Sequence, residues 1–312
     1  METKQFFNIQ KQSKIKIIYF REFNKILSIS NWIQNNRVTN HNYRKYPAKV
    51  INIDFSKCRF LKPYHIVPLA CLIYEYQISL FKIKIINVSP QLSQYFNSFG
   101  FDKLCNQTFV NNFDLPKDNK TFPLWRIEKA KIDIYPIQVK EYYENLHFKG
   151  KDLFSLSLSL AELMNNVIDH SGSKIPGFSF TQYNTKNEKI ITCVCDLGIG
   201  IPNNVNKFLK NKKEPTLSNL DALLKAFELS FSTHSKPHNK GYGLDNIICQ
   251  VKALKGSMLI ISNDVIYKVL EDGSVINSTL DSNFPGTLFV LYLNARELPL
   301  KEEELNETMS IF

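Results

Sequence analysis

Apolar side chains recur every three to four residues between positions 152 and 169. Leu156, Leu160, Leu163 and Val167 follow this spacing, which is the period of one face of an α-helix. We therefore predict an amphipathic helix over this segment, with these four side chains turned towards a core.

The same helix carries polar residues on another face. Glu162 and Asn166 are four positions apart and share one face, while Asp169 and His170 extend the polar group by one turn. A carboxylate and an amide one turn apart can hold a water molecule or a hydrated cation between them. The pattern alone is a weak indication, because Glu, Asn and Asp on a helix usually form its solvated face.

Strand and helix patterns alternate through the first 105 residues. Ser89 before Pro90 is typical of a helix start, and Gly100 is typical of a helix end. We expect strands at residues 15–20, 49–55 and 82–88, and helices at 23–33, 63–76 and 89–100. This alternation predicts a small α/β layer.

A polar stretch over residues 106–121 predicts a linker, and strand patterns dominate after it. Asp272 with Gly273 is typical of a hairpin turn, and Ser218 with Asp221 is typical of a helix start. We expect helices at residues 218–231 and 244–255, and strands at 122–127, 132–135, 177–183, 190–196, 258–262, 265–270, 275–280 and 287–293.

The composition is that of a folded protein. The chain has 312 residues, of which 44% are hydrophobic and 22% charged, and this length is enough for two domains. Its six cysteines form no redox or zinc motif, and Cys193 and Cys195 would share one buried face of a strand. The longest apolar run, at residues 66–74, is too short to span a bilayer, and the amino terminus has no apolar signal core. We therefore expect a soluble cytoplasmic protein with no membrane association.

The formal net charge of +10 bears on the choice of partner. Such a charge is compatible with nucleic-acid binding, but the lysines are dispersed along the chain. The exception is a cluster expected in a loop or at a helix end: Lys207, Lys210, Lys212 and Lys213. Nucleic acid is therefore not favoured as a partner.

Three further segments follow the helix with Glu162 and Asn166 in a characteristic order. Residues 196–202 read Asp-Leu-Gly-Ile-Gly-Ile-Pro directly after an apolar strand, residues 241–244 read Gly-Tyr-Gly-Leu before a helix, and residues 285–291 read Pro-Gly-Thr-Leu-Phe-Val-Leu on a strand. The set resembles the GHKL ATP-binding domain of gyrases, heat-shock chaperones of the ninety-kilodalton class, sensor histidine kinases and mismatch-repair ATPases. The resemblance covers roughly residues 147–294 and rests on the ordered set more than on any one motif.

The resemblance implies a role for each element of an ATP and Mg²⁺ site. Glu162 matches the residue that orients and deprotonates the attacking water in ATP-hydrolysing members, and Asn166 matches the Mg²⁺ ligand. Asn165 competes for the metal role, but it lies about 100° around the helix from Asn166. Asp169 and His170 would complete the cofactor-binding face.

The remaining implied contacts are to the adenine and to the phosphates. Asp196 would accept the adenine amino group, Gly198 and Gly200 would let the backbone approach the base, and Thr287 would reach the base through water. Free backbone N–H groups at a helix start suit phosphate, which implicates Lys240, Gly241, Tyr242, Gly243 and Leu244. Residues 233–240 have the composition of a lid that orders when nucleotide binds.

The first part of the chain has a resemblance of its own. Residues 51–56 read Ile-Asn-Ile-Asp-Phe-Ser and residues 87–92 read Asn-Val-Ser-Pro-Gln-Leu, and with the ending at residues 99–102 they resemble a STAS domain, the fold of anti-sigma-factor antagonists. Members that are switched by phosphorylation have a serine where residues 61–65 read Leu-Lys-Pro-Tyr-His. We therefore expect partner binding, packing on the ATPase domain or dimer formation in place of phosphoacceptance.

Together these features predict a two-domain α/β protein. The expected parts are a small STAS-like α/β layer domain at residues 1–110, a linker and joining strand at 111–130, a GHKL α/β sandwich with a mixed sheet covered by helices on one face at 131–296, and a tail at 297–312. The expected function is that of an Mg²⁺-dependent ATP-binding regulator with slow ATP hydrolysis or serine kinase activity on a separate partner. A non-catalytic ATP-gated interaction switch is the alternative, and a DNA-linked ATPase is a second one.

Overall fold

A computed structural model describes residues 15–21, 27–38, 50–113, 120–228 and 243–301, and the statements below refer to these residues. They form two β-sheets with helices packed on and between them. The α/β class predicted from the sequence is confirmed. The domain boundaries drawn above stay a prediction.

The first sheet is parallel and has the order β1-β2-β3. Its strands are β1 (Ile15–Arg21), β2 (Val50–Lys57) and β3 (Lys82–Ile86). Residues 51, 53 and 55 of β2 are buried, as expected for a strand whose alternate side chains face a core. All three strands lie where the hydrophobic pattern predicts them.

Four helices accompany the first sheet: α1 (Leu27–Asn36), α2 (Pro63–Ile78), α3 (Pro90–Phe99) and α4 (Phe101–Cys105). The Ser89 hydroxyl accepts the Leu92 N–H at 3.3 Å, and Gly100 ends α3 with a φ of 82°. Both helix signals predicted from the sequence are therefore confirmed. The helix expected at residues 23–33 is described from Leu27 onwards.

The second sheet has the order β4-β5-β6-β8-β7, and each of its described pairings is antiparallel. Its strands are β4 (Trp125–Arg126), β5 (Phe178–Asn184), β6 (Lys189–Asp196), β7 (Ser257–Val269) and β8 (Val275–Asn294). The expectation of a mixed sheet is thus wrong for these residues. Four expected strands merge into two, because β7 and β8 continue as one long hairpin that turns at Gly273 with a φ of 80°.

One face of the second sheet is covered by helices that follow residue 133. These are α5 (Ile134–Leu146), α6 (Phe154–His170), α7 (Ile201–Asn211), α8 (Asn219–Lys225) and α9 (Leu244–Ala253). The strand expected at residues 132–135 is wrong, because α5 begins there and buries Tyr135 against Trp125. Lys207 and Lys210 lie on α7, in a segment for which the sequence predicts a loop or a helix end.

The other face of the second sheet is covered by helices from the first 105 residues of the chain. This differs from the expectation of helices on one face only. Helix α2 packs against β5 and β6, and α1 packs against β8. Cys193 and Cys195 point to this face, where the Cys71 thiol donates to the Cys195 carbonyl at 3.4 Å. A single hydrophobic core therefore extends from the first sheet to the second.

Two smaller expectations concern the linker and the membrane. Residues 114–119 of the predicted linker lie outside the described residues, but Asn111 is buried and its side chain bonds both the N–H and the carbonyl of Arg126. Among the described residues, none of the helices has both the length and the apolar character needed to cross a bilayer.

Candidate functional site

Three polar side chains lie next to one another on the adjacent strands β6, β8 and β7 of the second sheet. Asp196 is the strand partner of Thr287, and Thr287 is the strand partner of Ser262. Directly paired residues of an antiparallel sheet point to the same face, and here that face is the one covered by α6 and α9. We call Asp196, Thr287 and Ser262 the polar row.

Ser262 binds the polar row together. Its hydroxyl accepts the Ile201 N–H at 2.8 Å, donates to the Gly286 carbonyl at 3.1 Å and lies 3.0 Å from the Thr287 hydroxyl. It is fully buried. Because Ser262 has only one proton to give, the bond to Gly286 leaves Thr287 as the donor between the two hydroxyls.

Asp196 is a buried carboxylate that contacts backbone donors. Only 3% of its surface is exposed, and Oδ1 accepts the Gly198 N–H at 2.7 Å. Burial raises the pKa of Asp196 to about 7, against hydrogen bonds from the Gly198 and Thr287 N–H groups and the charge of Arg37 that act to lower it. None of the described ion pairs includes this carboxylate. A buried acid in this state is suited to exchange a proton or to accept from an uncharged donor.

Glycine is required at two positions around Asp196. A Cβ on Gly198 would lie 2.0 Å from the Ser171 carbonyl oxygen, and a Cβ on Gly286 would lie 2.3 Å from the Asp196 carbonyl oxygen. The Ile199 N–H also donates to the Ser171 carbonyl at 2.7 Å. The chain therefore passes tightly between the end of α6 and the polar row.

Gly200 begins α7 with a φ of 82°, which favours glycine. A Cβ there would lie 2.4 Å from Oδ1 of Asn263, whose Nδ2 donates to the Ile199 carbonyl at 3.1 Å. Asn263 Oδ1 is buried and has no hydrogen-bond partner among the described residues. This loop is thus fixed by β7 on one side and by α6 on the other.

The polar face of α6 lies partly buried near the start of α9. Asn166 Nδ2 donates to Glu162 Oε1 at 3.4 Å, so the predicted pair is in contact. Burial raises the pKa of Glu162 to about 7, the Asn166 bond opposes this rise, and the charges of Asp169 and Asp245 add to it. Asp169 and His170 are likewise partly buried at the end of α6.

The start of α9 faces this helix. Gly243 precedes the first helical residue, Leu244, which is buried, and Ser159 on α6 bonds Gln250 on α9 at 2.5 Å. The charge of Asp245, in the first turn of α9, acts on Glu162, so the start of α9 lies on the Glu162 side of α6. Lys240, Gly241, Tyr242 and the expected lid at residues 233–240 lie outside the described residues, so those expectations stay predictions.

Two residues of this site were missed from the sequence. Asp245 lies in the first turn of α9 and acts electrostatically on Glu162, but an acid in a first helical turn is so common that it gives no functional signal. Ser262 occurs in an apolar strand, and only the strand pairing reveals its contact with Thr287. Among the described residues, the acidic, histidine and cysteine side chains form no group of three that could hold a metal ion.

Comparison of the chain with protein-family models and with curated proteins finds no match to either. The functional argument therefore rests on the residues and on their geometry.

Proposed function

We propose that the chain is an Mg²⁺-dependent ATP-binding regulatory protein of the GHKL type, with its site between α6, the polar row and the start of α9. The observation that carries this proposal is that Asp196 is buried with backbone donors, and that the residues following it bond the end of α6, the helix on which Glu162 and Asn166 are in contact. This arrangement supports the resemblance stated above.

Adenine recognition would fall to the polar row. A buried carboxylate needs a hydrogen-bond donor, and the amino group of adenine is an uncharged donor of suitable size. Thr287 gives its proton to Ser262, so its oxygen is left to accept, either directly or from a bridging water. The tight glycines at positions 198 and 286 keep side chains out of the space beside the carboxylate.

The metal and the water would fall to α6. Asn166 offers one neutral oxygen, which suits Mg²⁺ because this ion keeps several of its waters and needs few protein ligands. Glu162, with a pKa near 7, is matched to accept a proton at neutral pH, which is the requirement for a general base. Mg²⁺ held by Asn166 would supply charge neutralisation at the phosphates.

The favoured reaction is slow ATP hydrolysis or phosphoryl transfer to a hydroxyl of a separate protein, because a carboxylate with a pKa of about 7 can accept a proton from either a water or a serine. The alternative is a switch without turnover, and one observation favours it. Helix α2 contacts β6, the strand that ends at Asp196. Arg37 is paired with Glu75 of α2 at 2.6 Å, and its charge acts on the pKa of Asp196. The first part of the chain is therefore coupled to the carboxylate that would bind adenine. A DNA-linked ATPase is not favoured, because only the overall basic charge supports it.

ADP release by the purified protein with Mg·ATP tests the proposal. Glu162→Ala removes the base, and Glu141→Ala on the exposed side of α5 is the matched control. We expect turnover to fall by about 10²- to 10⁴-fold in Glu162→Ala with ATP still bound, and to be unchanged in the control. Binding without turnover in the wild type favours the switch or a kinase that awaits its substrate, and absence of ATP binding overturns the proposal.

A further inference from the structure

The first sheet has one face that no described helix covers. Helices α2, α3 and α4 contribute to the core on the face that carries Ile51 and Ile53. On the opposite face of β1, the side chains of Ile15, Ile17 and Tyr19 are 56%, 48% and 55% exposed. Parallel sheets are usually covered on both faces, so an exposed apolar stripe on such a sheet is unusual.

The strand register defines the composition of this face. Ile15 aligns with Val50 and Lys82, Ile17 with Asn52 and Lys84, and Tyr19 with Asp54 and Ile86. We call these nine residues the open face, within which the central strand β2 is less exposed than the two outer strands, since Asp54 is buried and Val50 and Asn52 are half-buried. It is apolar along β1 and basic along β3, where Lys82 and Lys84 are exposed and form no ion pair with a described residue.

The other polar groups of the open face do not offset this charge. The carboxylate of Asp54 accepts the Ser56 N–H at 2.7 Å and the Asn87 amide at 2.9 Å, so it is engaged within the sheet. Lys57 adds a third positive charge, with its ammonium 5.7 Å from the centre of the Tyr19 ring. Asn52 Oδ1, in the middle of the face, has no hydrogen-bond partner among the described residues.

The dimensions of the open face fit one helix. Three strands about 4.8 Å apart give a width of about 10 Å, which is the diameter of an α-helix with its side chains. The five aligned positions of β1 extend about 16 Å, or about three helical turns. A helix of this length that lies along the sheet would place apolar residues over β1 and a second side over β3.

We propose that the open face binds an acidic amphipathic helix of a partner protein. The apolar side of that helix covers Ile15, Ile17 and Tyr19, and its carboxylates meet Lys82 and Lys84. Two copies of this chain joined face to face would bring lysines of the same charge into one interface, which opposes self-association here. This proposal does not depend on nucleotide binding.

A pair of designed peptides tests the proposal on the full-length protein. Both are lactam-stapled helices of about 14 residues with leucines along one side, and they differ only in having Glu or Lys on the flank. Fluorescence anisotropy measures the binding of each peptide to the wild type, to Ile17→Asp and to the double variant with Lys82→Glu and Lys84→Glu. Lys149→Glu, an exposed lysine next to α5, is the matched charge control.

We expect the glutamate peptide to bind the wild type about tenfold more tightly than the lysine peptide, with a difference that shrinks in salt. Ile17→Asp should weaken both peptides, whereas the double variant should bind the lysine peptide in preference and Lys149→Glu should behave like the wild type. Because the substituted lysines are exposed, the reversal does not depend on a variant that fails to fold.

Three outcomes overturn the proposal. The first is equal binding of the two peptides, or a preference that the double variant does not reverse. The second is a dimer of the wild type that Ile17→Asp dissociates, which assigns the face to a second copy. The third is binding to vesicles of anionic lipid that the same variants abolish while neither peptide binds, which assigns the face to a membrane surface.

Discussion

Asp54 and Asp196 stand in similar places in the two sheets, yet their surroundings differ. Each is a buried aspartate towards the carboxyl end of a strand, and each accepts a backbone N–H from two residues further on at 2.7 Å. Asp54 also accepts the Asn87 amide at 2.9 Å, and the hydroxyl and N–H of Ser56 lower its pKa. Burial instead raises the pKa of Asp196 to about 7.

The difference separates a structural acid from a candidate binding acid. The bonds of Asp54 connect the end of β2 to the residue after β3, so they stabilise the charged form and complete a turn. Asp196 has backbone donors and no side-chain amide or hydroxyl bonded to it among the described residues, so its charged form is costly without a ligand. Asp54 is therefore satisfied within the first sheet, whereas Asp196 is left as the candidate binding residue.

The largest effects are expected from the two matched amide substitutions. In the folded protein, Asp196 binds its proton more tightly than in the unfolded chain, so its contribution to stability falls as pH rises from about 4 to about 7, by up to about 4 kcal/mol. Asp196→Asn should therefore raise the melting temperature at pH 8. Asp54→Asn should lower it, because the lowered pKa of Asp54 marks a stabilised carboxylate. Thermal unfolding at pH 5 and pH 8 measures both, and a loss of stability in Asp196→Asn at pH 8 contradicts the comparison.

Glycine substitutions sharpen the same contrast. Gly198→Ala places a Cβ against the Ser171 backbone and should cost about 3 kcal/mol. Gly100→Ala at the end of α3 has open space around the added carbon. Its only cost is the strain of a left-handed φ, so it should lose about 1 kcal/mol. Urea unfolding gives both values. Equal costs would mean that the passage between α6 and the polar row is looser than described.

Serine substitutions should have intermediate effects. Ser262→Ala leaves the partly buried Ile201 N–H without its acceptor and should cost about 2 kcal/mol. Ser89→Ala removes only the cap of α3 and should cost about 1 kcal/mol. The free energy of unfolding measures both, and only Ser262→Ala should also weaken ATP binding. Unchanged ATP affinity in that variant would remove Ser262 from the site.

The smallest expected effect is a pH dependence of turnover. Glu162 must be ionised to accept a proton, and its pKa is raised to about 7, so ADP release should increase about tenfold from pH 6 to pH 8. Stopped assays with saturating Mg·ATP check this, with Glu141→Ala as the control. A flat profile would exclude Glu162 as the base.

Local signals in the sequence predicted most of the elements and proposed part of the candidate site. The spacing of Leu156, Leu160 and Val167 correctly predicted α6, and the helix start at Ser89 and the turn at Gly273 were predicted from local chemistry. What failed depended on distant partners. The segment before α5 has apolar alternation, but Tyr135 packs on Trp125 and the chain turns helical there.

The antiparallel direction of the second sheet was also beyond the sequence, and packing of the first part of the chain on this sheet was expected only as one of three alternatives. Strand direction in β8 depends on pairing with both β6 and β7, which no local pattern encodes. The packing of α2 on β6 depends on the fit of Cys71 and its neighbours to a face whose residues lie more than a hundred positions away. Ser262 was missed for the same reason and Asp245 because an acid in a first helical turn gives no functional signal, whereas Glu162, Asn166 and Asp196 were proposed from their motifs.

Calorimetric titration of Mg·ATP into the wild type, Asp196→Asn and Asp54→Asn tests the central claim most directly. At pH 8, the account predicts that the wild type and Asp54→Asn bind with similar affinity. Asp196→Asn should lose at least about tenfold in affinity, although its fold is more stable than that of the wild type at this pH. Because Asp196→Asn is expected to stabilise the protein, its loss of binding cannot be ascribed to unfolding. Full binding by Asp196→Asn, or none by the wild type, would contradict the account.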